Sequence, residues 1–287
     1  MSGARSARLP DGRLHLQHGP IDLMIEAFGA TDEVVQAYDQ ATARFGDVLE
    51  TLVRELSVLR RPVGDAYPLL QGPVARRMAA AVWPYRDVFI TPMAAVAGSV
   101  ADEILEAMVC GRMLHKAYVN DGGDIAVHLT PGHTLRAGIV ADVDAPTLAG
   151  FALLSHERLV RGIATSGWSG RSFSLGIADS VTVLAASAAA ADAAATIIAN
   201  AVNADHPAIV RRPACDLNPD TDLGDLCVTT MVGDLPANVV ARALDRGTAE
   251  ASRLRARGLI ESAALSLKDQ WQIEAEKAAS RKYQQLV

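Results

Sequence analysis

The run Gly162–Val202, GIATSGWSGRSFSLGIADSVTVLAASAAAADAAATIIANAV, places a Gly/Ser/Thr-rich turn, a β-branched strand and an Ala-rich helix in direct succession. Side chains this small suit helix and sheet layers that approach closely. Near the start of the helix, Asp192 and Thr196 stand four residues apart. Side chains at i and i+4 share one helical face, with Cβ atoms about 5–6 Å apart. Two such oxygen groups can share a hard cation such as Mg²⁺. An acidic residue early in a helix also complements the helix dipole, and a threonine can bond a backbone carbonyl. From this pair alone, both readings stay open.

With 287 residues the chain can bury a sizeable core, as one large domain or two modest ones. Half of it is hydrophobic but only 5% is aromatic, so the core is expected to be Ala, Val, Leu and Ile. A net charge of −6 argues against general nucleic-acid binding, which needs a cationic face. Cys110, Cys215 and Cys227 are widely spaced, without a CxxC pair, which fits reduced thiols better than zinc or disulfides. The N-terminal MSGARSARLPDGRLHLQHGP carries arginines but no apolar stretch of signal-peptide length. The longest apolar run, Val181–Ala191, is too short and polar to span a bilayer. The expectation is a cytoplasmic protein with neither a membrane nor a nucleic-acid partner.

Residues 1–12 read as a flexible arm, followed by one domain over 13–287 that two intertwined α/β subdomains could share. Arg13–Phe28 alternates as one or two strands around Gly19-Pro20. Val34, Tyr38, Ala41, Phe45, Val48, Leu52 and Leu56 recur at three- and four-residue steps, predicting one helix over 32–60. Further helices are predicted at Val74–Val82, Pro92–Leu114, Ala191–Val202 and Pro236–Ala256. Strands are predicted at Val88–Ile90, Ala117–Val119, Ile125–Leu129, Leu135–Val140, Arg158–Ala164, Ser172–Leu184 and Cys227–Val232. Asn120–Asp124 and Pro131–His133 read as hairpin turns, Asp142–Pro146 as a turn and Asp216–Asp225 as irregular. The charged segment 268–285 is expected to be helical, projecting or pairing with another subunit. Irregular alternation of strands and helices gives a mixed α/β or α+β class, not a doubly wound sheet.

Several chemistries are excluded. GWSGRS contains Ser169 without the GxSxG spacing. Neither GxxxxGK[ST] nor GxGxxG occurs, and no HExxH or HxH pair. His15 and His18 form a weak metal pair, and His128 reads as a polar outward position. Gly98 and Ser99 permit close backbone approach, to a neighbouring element or to a ligand.

Four pieces remain in order: AAVAGSVAD (Ala94–Asp102), NDGGDI (Asn120–Ile125), GIATSGW (Gly162–Trp168) and SVTVLAASAAAADAAATIIANAV (Ser180–Val202). Together they resemble the ApbE family, the FAD:protein FMN transferases. With LQHGPIDL, ITPMAAVAGSVAD and GRSFSLGIAD, the pattern is closer to the ApbE-related uncharacterised protein family 0280. The resemblance implies an ApbE-like fold of mainly antiparallel sheets packed against helices. It implies that Asp192, Thr196 and the main-chain carbonyl near Val96 bind Mg²⁺. It further implies a flavin nucleotide, FAD, approached by the backbone at Gly98, Gly122, Gly123 and Asp124 and by Thr165, Ser166 and Gly167.

Compared with the transferases, only Trp168–Asp179 separates TSG from SVTV, without their His and Pro-x-Thr-Gly signature. No D-x-x-[ST]-G-A-[ST] acceptor motif occurs, so self-flavinylation is not expected. Two functional readings follow. One is a flavin-nucleotide-binding protein with Mg²⁺-dependent nucleotidyl or phosphoryl transfer, or FAD pyrophosphatase-like activity, acting toward an unidentified acceptor protein. The other is a non-catalytic accessory protein of a redox or sulfur-assimilation pathway, with Cys215 or Cys227 as a sulfur carrier. In a third reading, the glycine-rich turns of a homodimer serve packing alone.

Overall fold

A computed structural model describes residues 3–140 and 148–276. The chain divides into two compact units. Unit 1 comprises Met1–Arg136, Leu153–Ala164 and Ala186–Ala193; unit 2 comprises Ala137–Ala152, Thr165–Ala185 and Ala194–Val287.

In chain order the first elements are β1 (Arg5–Arg8), β2 (Leu14–His18), β3 (Ile21–Gly29), α1 (Thr31–Phe45), α2 (Val48–Leu59) and α3 (Pro73–Val82). Then come α4 (Val96–Val109), β4 (Leu114–Asp121), β5 (Asp124–Leu129), β6 (Thr134–Val140) and β7 (Leu148–Ser155). β8 (Gly162–Ser166), β9 (Ser180–Ala185), α5 (Ala188–Ala201), β10 (Ile209–Pro213) and α6 (Ala214–Leu217) follow. The chain continues with β11 (Cys227–Val232), α7 (Ala237–Ala256), β12 (Ser262–Leu267) and β13 (Gln270–Glu274). The division between the units falls inside β6, β7, β8 and α5. The class is mixed α/β, with antiparallel pairing at every strand pair of known register.

In unit 1, β1 to β5 form an antiparallel meander in sequence order, and Ile125 of β5 pairs with Ile163 of β8. Strand alternation selects the faces: Leu14, Leu16, Ile21, Leu23 and Ile25 are buried, while His15, Gln17 and Asp22 turn outward. The inward face meets α1 and α4, where Phe45, Ile104 and Met108 are among the largest fully buried side chains. Burying each such side chain contributes about 1.5–3 kcal/mol. Tyr38 sits in this layer because its hydroxyl accepts the Ala27 N–H at 3.1 Å.

The structure differs from the sequence reading at identifiable points. Arg5–Arg8 are not an arm but β1, paired with β2. The helix predicted over 32–60 is two helices, broken where Asp47 leaves helical geometry (φ −116°, ψ 4°) beside Gly46. The apolar stripe survives the break, since Phe45 and Val48 are both buried. Val88–Ile90 is not a strand: only Ile90 is buried, and its carbonyl accepts the Val63 N–H at 2.8 Å. The predicted helix over 92–114 begins as a short 3₁₀ turn, Pro92–Ala95, and its α-helical part ends at Val109. Pro131–His133 is a turn, yet β6 pairs with β7 rather than closing a hairpin on β5. The strand expected from Arg158 starts only at Gly162, and the one expected from Ser172 only at Ser180. Asp142–Pro146 lies outside the described residues.

In unit 2, β9, β12 and β13 pair antiparallel in that order, and β10 pairs with β11. α7 lies against β12 and β13, with Gly247 where a Cβ would stand 2.3 Å from Val202 Cγ2. The described part of 268–285 is strand rather than helix: Trp271 and Ile273 alternate with Gln272 and Glu274, which bond Asp245, Thr248 and Arg255 of α7. The rest of that predicted helix lies outside the described residues.

The β12–β13 turn carries backbone strain. Leu267 pairs with Gln270, so Lys268 and Asp269 form a two-residue loop with φ of 47° and 61°. Turns with positive φ at both positions favour glycine or asparagine. Lys268 is held there by its N–H on Asp179 Oδ2 at 2.6 Å and its Nζ on the Val232 carbonyl at 2.8 Å. Asp269→Gly is therefore expected to raise stability by roughly 0.5 kcal/mol, left-handed strain relieved minus chain entropy gained on unfolding. Thermal unfolding checks this, with Lys268→Gly gaining less, because the Nζ bond to the Val232 carbonyl is lost while the backbone N–H bond to Asp179 stays.

Candidate functional site

Unit 1 brings two helix N-termini together. Gly98, in the first turn of α4, lies so close to the start of α5 that a Cβ would stand 2.4 Å from the Ala188 oxygen and 2.7 Å from the Ala189 nitrogen. The glycine is required for this approach. Its N–H, one of the donors a helix start leaves without an intrahelical partner, donates to Asp192 Oδ2 at 3.0 Å. In the reverse sense, Asp102 of α4 accepts the N–H groups of Ala188 and Ala189 at 3.0 and 2.9 Å. The Ser187 hydroxyl oxygen accepts the Ala190 N–H at 3.2 Å.

Each helix thus supplies a carboxylate to the other's first turn. Gly98 and Asp102 are four residues apart, and so are Ala188 and Asp192.

Asp192 is half-buried as a residue. Desolvation pushes its carboxyl well above the ordinary carboxylate range, and the charges of Asp124, Asp121 and Asp102 add to the rise. The Gly98 N–H opposes it. Asp102 is also raised, first by burial, against the two α5 N–H groups and the Arg77 charge. Arg77 itself is engaged by Glu103 and Glu106. The neighbourhood of Asp192 is therefore rich in carboxylate.

Asp121 and Asp124 belong to the β4–β5 hairpin, where they pair across a two-residue loop. Gly122 and Gly123 form that loop with φ of 64° and 115°, and the Gly123 N–H donates to Asn120 Oδ1 at 2.8 Å. The turn by itself accounts for both glycines. Val96 opens α4 and is half-buried.

Of the predicted site residues, unit 1 gathers Val96, Gly98 and Asp192 at the α4–α5 start, and the Asp124 charge acts on Asp192. Gly122 and Gly123 lie in the loop beside Asp124. Thr165, Ser166, Gly167 and Thr196 belong to unit 2. There the Thr165 and Thr182 hydroxyls are 2.9 Å apart, and a Cβ at Gly167 would stand 2.2 Å from the Asp179 oxygen, so packing requires that glycine. Asp179 also accepts the Trp168 indole N–H at 3.0 Å, closing the short Trp168–Asp179 connection. Thr196 is half-buried, one turn beyond Asp192 in α5.

The sequence reading passed over Asp102 and Asp121. Asp102 closes the quoted AAVAGSVAD piece, and its signal was an acid inside an apolar helix, four residues after a glycine. Asp121 is 4% exposed, and the sequence offers as its signal only an acid directly before the paired glycines of a turn.

Among the described residues, no group of three or more His, Cys, Asp or Glu side chains is placed to hold a metal ion. A set of one carboxylate, one hydroxyl and one carbonyl is of a different kind. It suits Mg²⁺, which binds through one or two carboxylates together with substrate phosphates.

His15 and His18 do not form a pair. Three residues apart on a strand, they point to opposite faces: His15 Nε2 meets Asp22 at 3.0 Å, and buried His18 meets Glu50 at 3.5 Å. His128 is half-buried, with a pKa lowered by burial. Cys110 and Cys227 are exposed, and Cys215 donates to Asp225 Oδ1 at 3.2 Å. That acidic partner raises the Cys215 pKa, the opposite of an activated thiol.

The sequence matches the family described as "AbpE bacteria" over residues 6–273. The chain belongs to this family. UPF0280 proteins are among its relatives, as the resemblance to that group implied. One from Methanopyrus kandleri is 34% identical over 159 residues, 55% of this chain and 61% of the relative. One from Methanothermobacter thermautotrophicus is 37% identical over 135 residues, 46% of this chain and 50% of the relative. The chain thus spans about half to three-fifths of the length of these curated relatives.

Among solved structures, this AbpE-family chain is similar to the apo form of flavinyl transferase ApbE from Pseudomonas stutzeri. Identity is 12%, coverage 99% of this chain and 97% of that one, and the TM-score 0.49. For flavin transferase ApbE from Vibrio cholerae the values are 13%, 97%, 99% and 0.47. Among the described residues no helix is long and apolar enough to cross a membrane.

Proposed function

We propose that this chain binds a flavin nucleotide, FAD or FMN, together with Mg²⁺, and that Asp192 is the charged ligand of the metal. The observation that carries this is the setting of Asp192: a carboxylate raised by burial and by three neighbouring acids, at the junction of two helix starts. Membership of the AbpE family supports it. Thr196 and the main-chain carbonyl at Val96 complete the proposed metal set. Gly98, Gly122, Gly123, Asp124, Thr165, Ser166 and Gly167 are the proposed nucleotide-facing positions. When bound, Mg²⁺ supplies charge neutralisation at a pyrophosphate and Lewis acidity for phosphoryl or nucleotidyl transfer. The protein's part is to hold an oxygen donor and backbone N–H groups in place before the ligand arrives. A cytoplasmic location, a homodimer and an acceptor protein belong to the same proposal.

A second reading is favoured by one observation. The connection Trp168–Asp179 is short and is closed by the Trp168–Asp179 hydrogen bond, where the transferases carry a longer segment with a histidine. That favours binding without transfer, as in an accessory protein. Incubation with FAD and Mg²⁺, followed by chromatography, separates the two. With a peptide carrying the D-x-x-[ST]-G-A-[ST] motif included as acceptor, release of AMP with FMN covalently on the peptide marks transfer, and release of both free nucleotides marks hydrolysis. Recovery of intact FAD from the protein marks the accessory role, and FAD that never associates with the protein contradicts both.

A further inference from the structure

We infer that Asp102 is the positioning residue for Asp192, acting through a reciprocal cap between α4 and α5 rather than as a ligand itself. The inference rests on the reading of Asp192 as a metal ligand for its functional consequence, but its geometry stands independently. Both Asp102 oxygens are occupied by backbone: Oδ1 by the Ala188 N–H at 3.0 Å and Oδ2 by the Ala189 N–H at 2.9 Å. A carboxylate so engaged is directed at the helix start, not at an incoming ion. What it fixes is the first turn of α5, the turn immediately before Asp192. Asp192 then returns the contact by accepting the Gly98 N–H on the first turn of α4. The absence of a side chain at Gly98 lets the two backbones come close enough for both bonds.

The two bonds close a loop. Gly98 leads through one helical turn to Asp102, across to Ala188, through one turn to Asp192, and back to Gly98. Loosening any one link moves the others, because the helical turns between them are rigid. Only one Asp192 oxygen is used by Gly98 in this loop, namely Oδ2. The cap therefore orients the Asp192 carboxylate without occupying both of its oxygens. Residues that orient a metal ligand from behind typically alter metal affinity 10- to 100-fold when removed.

The test compares wild type with Asp102→Ala and Asp102→Asn by amide hydrogen exchange, and by Mg²⁺ titration of the full chain followed by NMR. Asp102→Asn keeps the shape and one carbonyl acceptor, so it serves if the alanine variant fails to fold. The expected result is loss of protection at Ala188 and Ala189 and also at Gly98, with Mg²⁺ affinity weakened 10- to 100-fold. The asparagine variant is expected to fall between wild type and alanine. A simple helix cap gives a different pattern: Ala188 and Ala189 lose protection while Gly98 and the Mg²⁺ affinity stay unchanged. That result overturns the inference. If wild type shows no response to Mg²⁺, the metal reading fails, and the protection of Gly98 in the Asp102 variants still decides the positioning role.

Discussion

Asp192→Asn is expected to yield a folded protein that no longer responds to Mg²⁺ and that becomes more stable than wild type as the pH rises. Asparagine keeps a carbonyl oxygen to accept the Gly98 N–H, so the α4–α5 junction persists. It removes the charge that faces Asp124, Asp121 and Asp102. A carboxyl whose folded pKa lies above its unfolded value holds its proton in the folded state across the interval between them. Wild-type stability therefore falls as pH rises from the ordinary value of 3.8 through the raised folded value, and stays lower above it. The gap between variant and wild type opens over that interval and is expected to reach on the order of 1 kcal/mol at alkaline pH. Added Mg²⁺ closes it for wild type alone, because a cation that binds only the folded state stabilises that state. Mg²⁺-supported FAD affinity is expected to drop on the order of 100-fold or more. Thermal unfolding across pH, with and without Mg²⁺, reads all of this; a constant gap at every pH would contradict it.

Gly98→Ala is expected to cost several kcal/mol of stability. The new methyl would meet three backbone atoms, the Ala188 oxygen and carbon at 2.4 and 2.5 Å and the Ala189 nitrogen at 2.7 Å. No rotamer change relieves a backbone clash, so α4 must withdraw from α5. The Gly98–Asp192 bond and both Asp102 bonds go with it. Overpacking costs about 1–3 kcal/mol, and each buried hydrogen bond lost adds about 1 kcal/mol. The expected total is roughly 4–6 kcal/mol, a fall in Tm of about 7–10 °C for a chain of this size. Gly64→Ala is the control: an added Cβ there meets nothing within 4 Å, and the change is expected to stay within about 0.5 kcal/mol. Similar Tm values for the two variants would show that the helix starts are not locked together.

The elements legible in the sequence are those whose pattern is local. The Asn120–Asp124 stretch announces its two-residue hairpin through paired glycines, and β11 and α7 appear within a residue of their predicted bounds. The errors arise where tertiary pairing overrides a local signal. Gly46-Asp47 interrupts a stripe that would otherwise read as one helix. β12 and β13 were hidden because Ser262–Leu267 has no charged alternation, and the polar residues of β13 face α7 instead of water. At the candidate site, Gly98 and Asp192 each stood out singly. Their bond spans 94 positions of sequence, and the Asp102 contacts span 86 and 87. No spacing rule reaches that far, so the cap and the clustering of acids around Asp192 emerge only from the fold.

The central claim, that Asp192 holds a metal needed for flavin-nucleotide binding, is tested most directly by one titration. FAD is added to wild type and to Asp192→Asn, with Mg²⁺ and with a chelator, and flavin fluorescence quenching is followed. Wild type is expected to show saturable quenching with Mg²⁺ only, and Asp192→Asn none of comparable affinity in either condition. Equal FAD affinity in all four titrations, or no FAD binding by wild type with Mg²⁺, would contradict it.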